Sequence, residues 1–188
     1  MRKLRKIYRR FIASRRGVAA IEFAMIAPVL AVMFLASFDG GRAIAIYMKM
    51  RSATYALAAI TNQYSSINSS QMTSITAATA AVMAPYPTAA AVVTITQITI
   101  SSKGVATVSW SYSQGGTAHA QGASITVPST IRTNSTYLIF AEVSYTFTPM
   151  FGYFSAGSIT FSDNLYVTPR VSNCINYPPQ SVSGCVVG

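Results

Sequence analysis

The chain has 188 residues, 51% of them hydrophobic, and a formal net charge of +10, which allows one modest folded domain plus an appendage. Such a charge suits nucleic acid only if it is spread over a folded surface with interleaved aromatic residues. Here Arg2, Lys3, Arg5, Lys6, Arg9, Arg10, Arg15 and Arg16 supply eight of the fourteen basic residues, leaving six basic against four acidic beyond them, so no nucleic-acid partner is expected.

The basic block, residues 1–17, reads as a solvated tail or as an anchor flank facing phospholipid. Behind it, Val18 to Phe38 reads VAAIEFAMIAPVLAVMFLASF, twenty-one residues whose one charge is Glu22, and about twenty apolar residues suffice to cross a bilayer as a helix. The basic residues before this run outnumber Arg42, Lys49 and Arg51 just after it. That asymmetry predicts an N-terminus in the cytoplasm and export of everything beyond Phe38. A secretory signal peptide has a shorter apolar run with a small-residue cleavage site after it. This run instead continues into IYMKMRSATYALAAITNQY, whose alanine and methionine favour helix. An anchor and extended helix is therefore expected over residues 18–66, kinked at Pro28, with Gly40 and Gly41 as its weak point.

Glu22 is the anomaly of this segment. A carboxylate in the membrane core costs about 2.5–3.5 kcal/mol on insertion scales and calls for a partner. A glutamate near the cytoplasmic face could also snorkel to water, but its position, five residues after Gly17, has a second meaning. The stretch RRGVAAIEFAMIAPVLAVMFLASFDGGRAIAIYMKM resembles the TadE/TadG-like pseudopilins of tight-adherence (Flp-type) pilus systems, within the type IV pilin superfamily. The elements that carry the resemblance are Gly17, Glu22, Phe23, Pro28, Asp39 and the Gly41–Arg42 pair. Gly40 departs from the pattern, since an aromatic residue often stands there.

The resemblance implies a pilin-like α+β fold: a long N-terminal transmembrane helix followed by a small antiparallel β-sheet domain. It also implies removal of the leader between Gly17 and Val18 by a prepilin peptidase. Glu22, Phe23 and Pro28 become assembly residues, and Asp39, Gly41 and Arg42 an exit motif. The implied partners are other pilins and pseudopilins, the major pilin, the inner-membrane assembly platform and membrane lipid. The implied location is the bacterial inner membrane, with one span and a periplasmic or extracellular C-terminal domain that can enter a surface pilus and serve adhesion. After cleavage the new α-amino group of Val18 could pair with Glu22 of a neighbouring subunit, an opposite charge that offsets the burial of the carboxylate.

Residues 67–88 read as a Ser-rich joint and a short helix capped by Ser69 or Ser70, with Met72, Ile75, Thr79 and Val82 on one face, ended by Pro85 and Pro87. From residue 89 the period changes from 3.6 to 2. Val92–Ile100 and VATVSWSY form a hairpin turning at Gly104, with Ala106, Val108, Trp110 and Tyr112 on one apolar face. Tyr137, Ile139, Ala141, Val143, Tyr145 and Phe147 make another such face. Ile159, Phe161, Leu165 and Val167 make a third, broken by Asp163. Four strands with a helix over one side give a small antiparallel sheet, and the aromatic TPMFGYF joins the last two.

Cys174 and Cys185 lie in an exported Pro/Gly-containing loop, where an even pair forms a disulfide more readily than it stays as two thiols. No cofactor or metal site is expected. His119, the one histidine, sits in the loop sequence QGGTAHAQG, and Glu142 and Asp163 lack motif context. No serine stands in a G-x-S-x-G or S-x-x-K setting. The readings in play are a minor pilin or pseudopilin, an uncleaved single-span protein whose β domain binds a ligand or partner, and an anchored enzyme. Convergence of polar residues in a pocket would favour the last.

Overall fold

A computed structural model of the chain describes residues 16–150, 157–178, 180 and 185. The leader through residue 15 and residues 151–156 of the aromatic joint lie outside the described residues. The first element, α1 (Arg16–Thr61), is one helix of 46 residues, roughly 70 Å long at 1.5 Å per residue. It runs through Pro28, Gly40 and Gly41 without interruption, so the glycine pair does not end it. It stops at Thr61, short of the expected residue 66, where Gln63 and Tyr64 turn back with N–H bonds to the carbonyls of Ile60 and Thr61.

Two regimes divide α1. From residue 17 to residue 38 every residue is exposed except the half-buried Ala27 and Leu35. From Ile46 onward the helix is amphipathic, burying Ile46, Met50, Ala53, Thr54, Leu57, Ala58 and Thr61 at intervals of one, three and four residues. These positions form one stripe, the pattern of a helix laid on a core.

Helix α2 (Ser69–Val82) packs beside α1 with Met72, Ile75, Thr76, Thr79 and Ala80 buried. Its cap is Asn68, not Ser69 or Ser70. The Asn68 side chain accepts from the Gln71 N–H at 2.8 Å, and the Gln71 side chain accepts from the Asn68 N–H at 2.9 Å. An Asn-x-x-Gln box satisfies two helix-end donors at once, where a lone serine satisfies one.

Four strands follow: β1 (Ala91–Ile100), β2 (Ala106–Gln114), β3 (Thr136–Phe147) and β4 (Ile159–Val167). They form one sheet in the order β2-β1-β3-β4, antiparallel throughout, with Gly104 at a φ of 77° in the first hairpin turn. Helices α1 and α2 cover one face. The principal core lies between, where Ile46, Met50, Leu57 and Met72 meet Val93, Ile95, Trp110, Ile139, Val143 and Phe147. Segment 123–127 crosses the opposite face and closes a smaller cluster of Ile98, Ile100, Ala106, Val127, Leu138 and Phe140.

The expected single face of Ala106, Val108, Trp110 and Tyr112 is split. Gln97 pairs with Trp110 but Ile98 pairs with Val108, so Ser109 is an extra residue, a β-bulge. One extra residue reverses which side of the sheet the following side chains occupy. Ala106 therefore joins the smaller cluster and Trp110 the principal core.

The segment after β4 returns across the joint between the helices. Arg170 N–H donates to Asn62 O at 3.0 Å, and Ile67 and Asn176 exchange partners along Ser65–Ile67. At the centre, Ile175 is held on both sides: its N–H donates to Gln97 Oε1 at 2.6 Å, and its carbonyl accepts from Trp110 Nε1 at 2.8 Å. All three residues are fully buried. Cys174, also buried, is disulfide-bonded to Cys185.

Candidate functional site: the anchor and its exit

The exposed first half of α1 is an apolar cylinder. Phe23, Met25 and Phe34 are 68%, 74% and 72% exposed, values that water would penalise and hydrocarbon would not. The segment lies on the single described helix long and apolar enough to cross a membrane. Gly17 and Val18 sit in the first turn, and nothing stands within 4 Å of a Cβ built on Gly17.

Glu22 projects from the cylinder, exposed. Among the described residues it has no ion-pair partner. Pro28 lies within the helix and, having no N–H, removes the donor that would serve the Ala24 carbonyl. A spanning helix tolerates this where neighbouring helices satisfy the freed group. Both features are of the kind that a packed bundle accommodates better than an isolated helix does.

At the other end of the apolar run, Asp39 and Arg42 dock the sheet onto the helix. Asp39 Oδ1 accepts the Met150 N–H at 3.1 Å and lies 3.6 Å from Arg42 Nη1. The Arg42 guanidinium sits 5.7 Å from the Phe147 ring centroid, a cation–π distance. Strand β3 thus descends antiparallel to α1: Phe147 and Met150 reach the exit, Phe161 of β4 meets Tyr47 one turn up, and Arg170 meets Asn62 at the far end. Gly40 and Gly41 have open space around them. Tyr145, buried beside this junction, has its phenol pKa raised by burial, against the nearby Arg42 charge and with a smaller upward contribution from Tyr86.

Residues 17–59, the apolar cylinder together with this junction, match a family model described as TadE-like protein. Over these residues, less than a quarter of the chain, the anchor is similar to the TadE-like family. The match covers the segment on which the sequence resemblance rested, and a TadE-like segment suggests a protein associated with the Tad pilus. Neither a curated protein nor a solved structure matches the chain. The fold expected alongside the TadE-like anchor, a long apolar helix and a four-stranded antiparallel sheet, is the one observed.

A second cluster lies away from the TadE-like anchor. On the sheet face opposite the helices, His119 Nε2 lies 2.7 Å from Glu142 Oε2, beside a shallow hollow of about 270 Å³ lined by Thr94, Ser144, Ser162 and Asn164 among others. The two residues are 23 apart in sequence, with no local signal to connect them. This is the polar convergence that would favour an enzyme, and its two titratable residues on this face, His119 and Glu142, are paired with each other. The Thr94 and Ser113 hydroxyls bond mutually at 2.8 Å, and Ser111 Oγ accepts the His119 N–H at 3.1 Å. The arrangement clasps the β2–β3 connection to the sheet. Among the described residues no group of three His, Cys, Asp or Glu side chains could hold a metal.

Proposed function

We propose that the chain is a minor pilin or pseudopilin of a tight-adherence pilus, a structural subunit and not an enzyme. It enters the inner membrane with its leader in the cytoplasm, a prepilin peptidase cuts between Gly17 and Val18, and the anchor packs against other pilins, the major pilin and the assembly platform. The exported domain then serves pilus initiation, a tip or the surface.

The observation that carries this reading is Glu22, a carboxylate without an ion-pair partner among the described residues, on an otherwise apolar, exposed, TadE-like helix. Val18 and Glu22 are four residues apart and share a helix face. Cleavage would therefore create an amine and a carboxylate on one side of each subunit, disposed for reciprocal pairing with a neighbour. Two charges so paired in a low-dielectric bundle are far cheaper to bury than either alone.

Expression of Glu22→Gln and Glu22→Ala variants tests the pairing. Both are expected to reach the membrane at the normal level and to be depleted from the sheared pilus fraction. Normal incorporation of either variant would refute the role of Glu22.

A further inference from the structure

We infer that the membrane-facing end of the β domain, the turn leaving β3 at Thr148–Met150 together with the start of β4 at Ile159, rests in the headgroup layer of the bilayer that α1 crosses. The inference rests on the proposed span. It commits the domain to a lipid surface as partner, in addition to whatever protein it meets.

Register along the helix sets the depth of the domain. Arg15 and Arg16 stand before the apolar run and Asp39 and Arg42 after it, so charges pin both ends at the interfaces. The intervening twenty-one residues rise about 32 Å at 1.5 Å each, against a hydrocarbon core of about 30 Å. Asp39 is therefore at the boundary. Its carboxylate accepts the Met150 N–H, which brings Met150 to the same depth.

The helix is continuous through the exit, and the domain meets it there, since Asp39 and Arg42 already contact Met150 and Phe147 within about 6 Å of Phe38 along the helix axis. The headgroup region itself is about 5–7 Å thick on each side. Among the described residues, the large exposed side chains at this depth, on the helix and on the domain, are apolar. Met150 is 67% exposed, Phe38 50% and Ile159 46%, and Ile159 pairs with Phe147 across the end of the sheet. Such side chains are unfavourable in water and suited to the interface. The one acid there, Asp39, is turned onto the backbone of the turn and toward Arg42.

The test uses the full chain reconstituted into phosphatidylethanolamine/phosphatidylglycerol vesicles. Met150→Cys, Val29→Cys and Ser102→Cys are each labelled with a polarity-sensitive fluorophore; the native cysteines are joined in a disulfide and do not compete for label. Quenching is read from nitroxide lipids labelled at the headgroup or deep in the acyl chain. The inference predicts a blue-shifted label at position 150 quenched by headgroup nitroxide, a label at position 29 quenched by acyl nitroxide, and an unquenched label at position 102 in the distant β1–β2 turn. Adding Asp39→Ala is expected to red-shift the label at position 150 and leave position 29 unchanged. Water-like emission at position 150 with normal quenching at position 29 would overturn the inference and leave the span standing. Loss of quenching at position 29 as well would overturn the span reading on which it rests.

Discussion

Replacing Trp110 by Phe isolates the bond that ties the C-terminal segment to the sheet. The indole N–H meets the Ile175 carbonyl at 2.8 Å, with both residues fully buried, so the substitution leaves a buried carbonyl without that donor. The unsatisfied group costs about 1–3 kcal/mol, and the smaller ring adds about 1 kcal/mol of lost packing. For a domain of this size the sum, about 2–4 kcal/mol, lowers Tm by on the order of 10 °C. The full chain in detergent, melted under circular dichroism, reads this directly. A second readout is the rate at which reductant opens the Cys174–Cys185 bond, which should rise because Cys174 adjoins Ile175 and is itself buried. Gln97→Leu removes the acceptor on the other side of Ile175, so the two substitutions together should cost less than the sum of each alone. An unchanged Tm with an unchanged reduction rate would refute the view that Ile175 is the tie, and strict additivity would refute the shared mechanism.

Gly115 has a φ of 82°, and a Cβ built on it would lie 2.8 Å from the Ala91 carbonyl oxygen, whereas Gly122, at 79°, has open space. Gly122→Ala should therefore cost about 1 kcal/mol from backbone conformation alone, and Gly115→Ala roughly 1–3 kcal/mol more; equal melting temperatures would contradict the close approach. Burial raises the phenol pKa of Tyr145 and Tyr166 above 10.0, with Glu142 adding to the second. The folded state thus favours the neutral phenols: their contribution to stability is complete below about pH 10 and lost as pH rises through the raised values. A tyrosinate absorbance titration should show a late phase that Tyr145→Phe and Tyr166→Phe each diminish, and a single phase for all eleven tyrosines would contradict it.

The parts of the fold legible in the sequence are those with a period. The apolar run to Phe38 announced the anchor, and alternation in VVTITQITI and TYLIFAEVSYTF announced strands; in β3, Ile139, Ala141, Val143, Tyr145 and Phe147 join the principal core as expected, Tyr137 does not, and Leu138 and Phe140 are buried on the other face. Ser109 defeated the same logic in β2, because a bulge is a change of register that composition does not mark. The tie of Ile175 was illegible for a different reason. It joins a backbone unit to Gln97 and Trp110, 78 and 65 residues away, through side-chain-to-backbone bonds that leave no pattern in the C-terminal segment. His119 and Glu142 are hidden in the same way. The exit motif lay between these cases: Asp39 and Arg42 stood out by resemblance, but their contacts with Met150 and Phe147 depend on where β3 ends.

Intact mass and N-terminal sequence of the membrane-extracted chain, from cells with and without a prepilin-type peptidase, test the central claim most directly. The account predicts a chain beginning at Val18 when the peptidase is present and at the leader when it is absent. A leader retained in both would contradict the pilin pathway and leave a permanently anchored protein with an exported β domain.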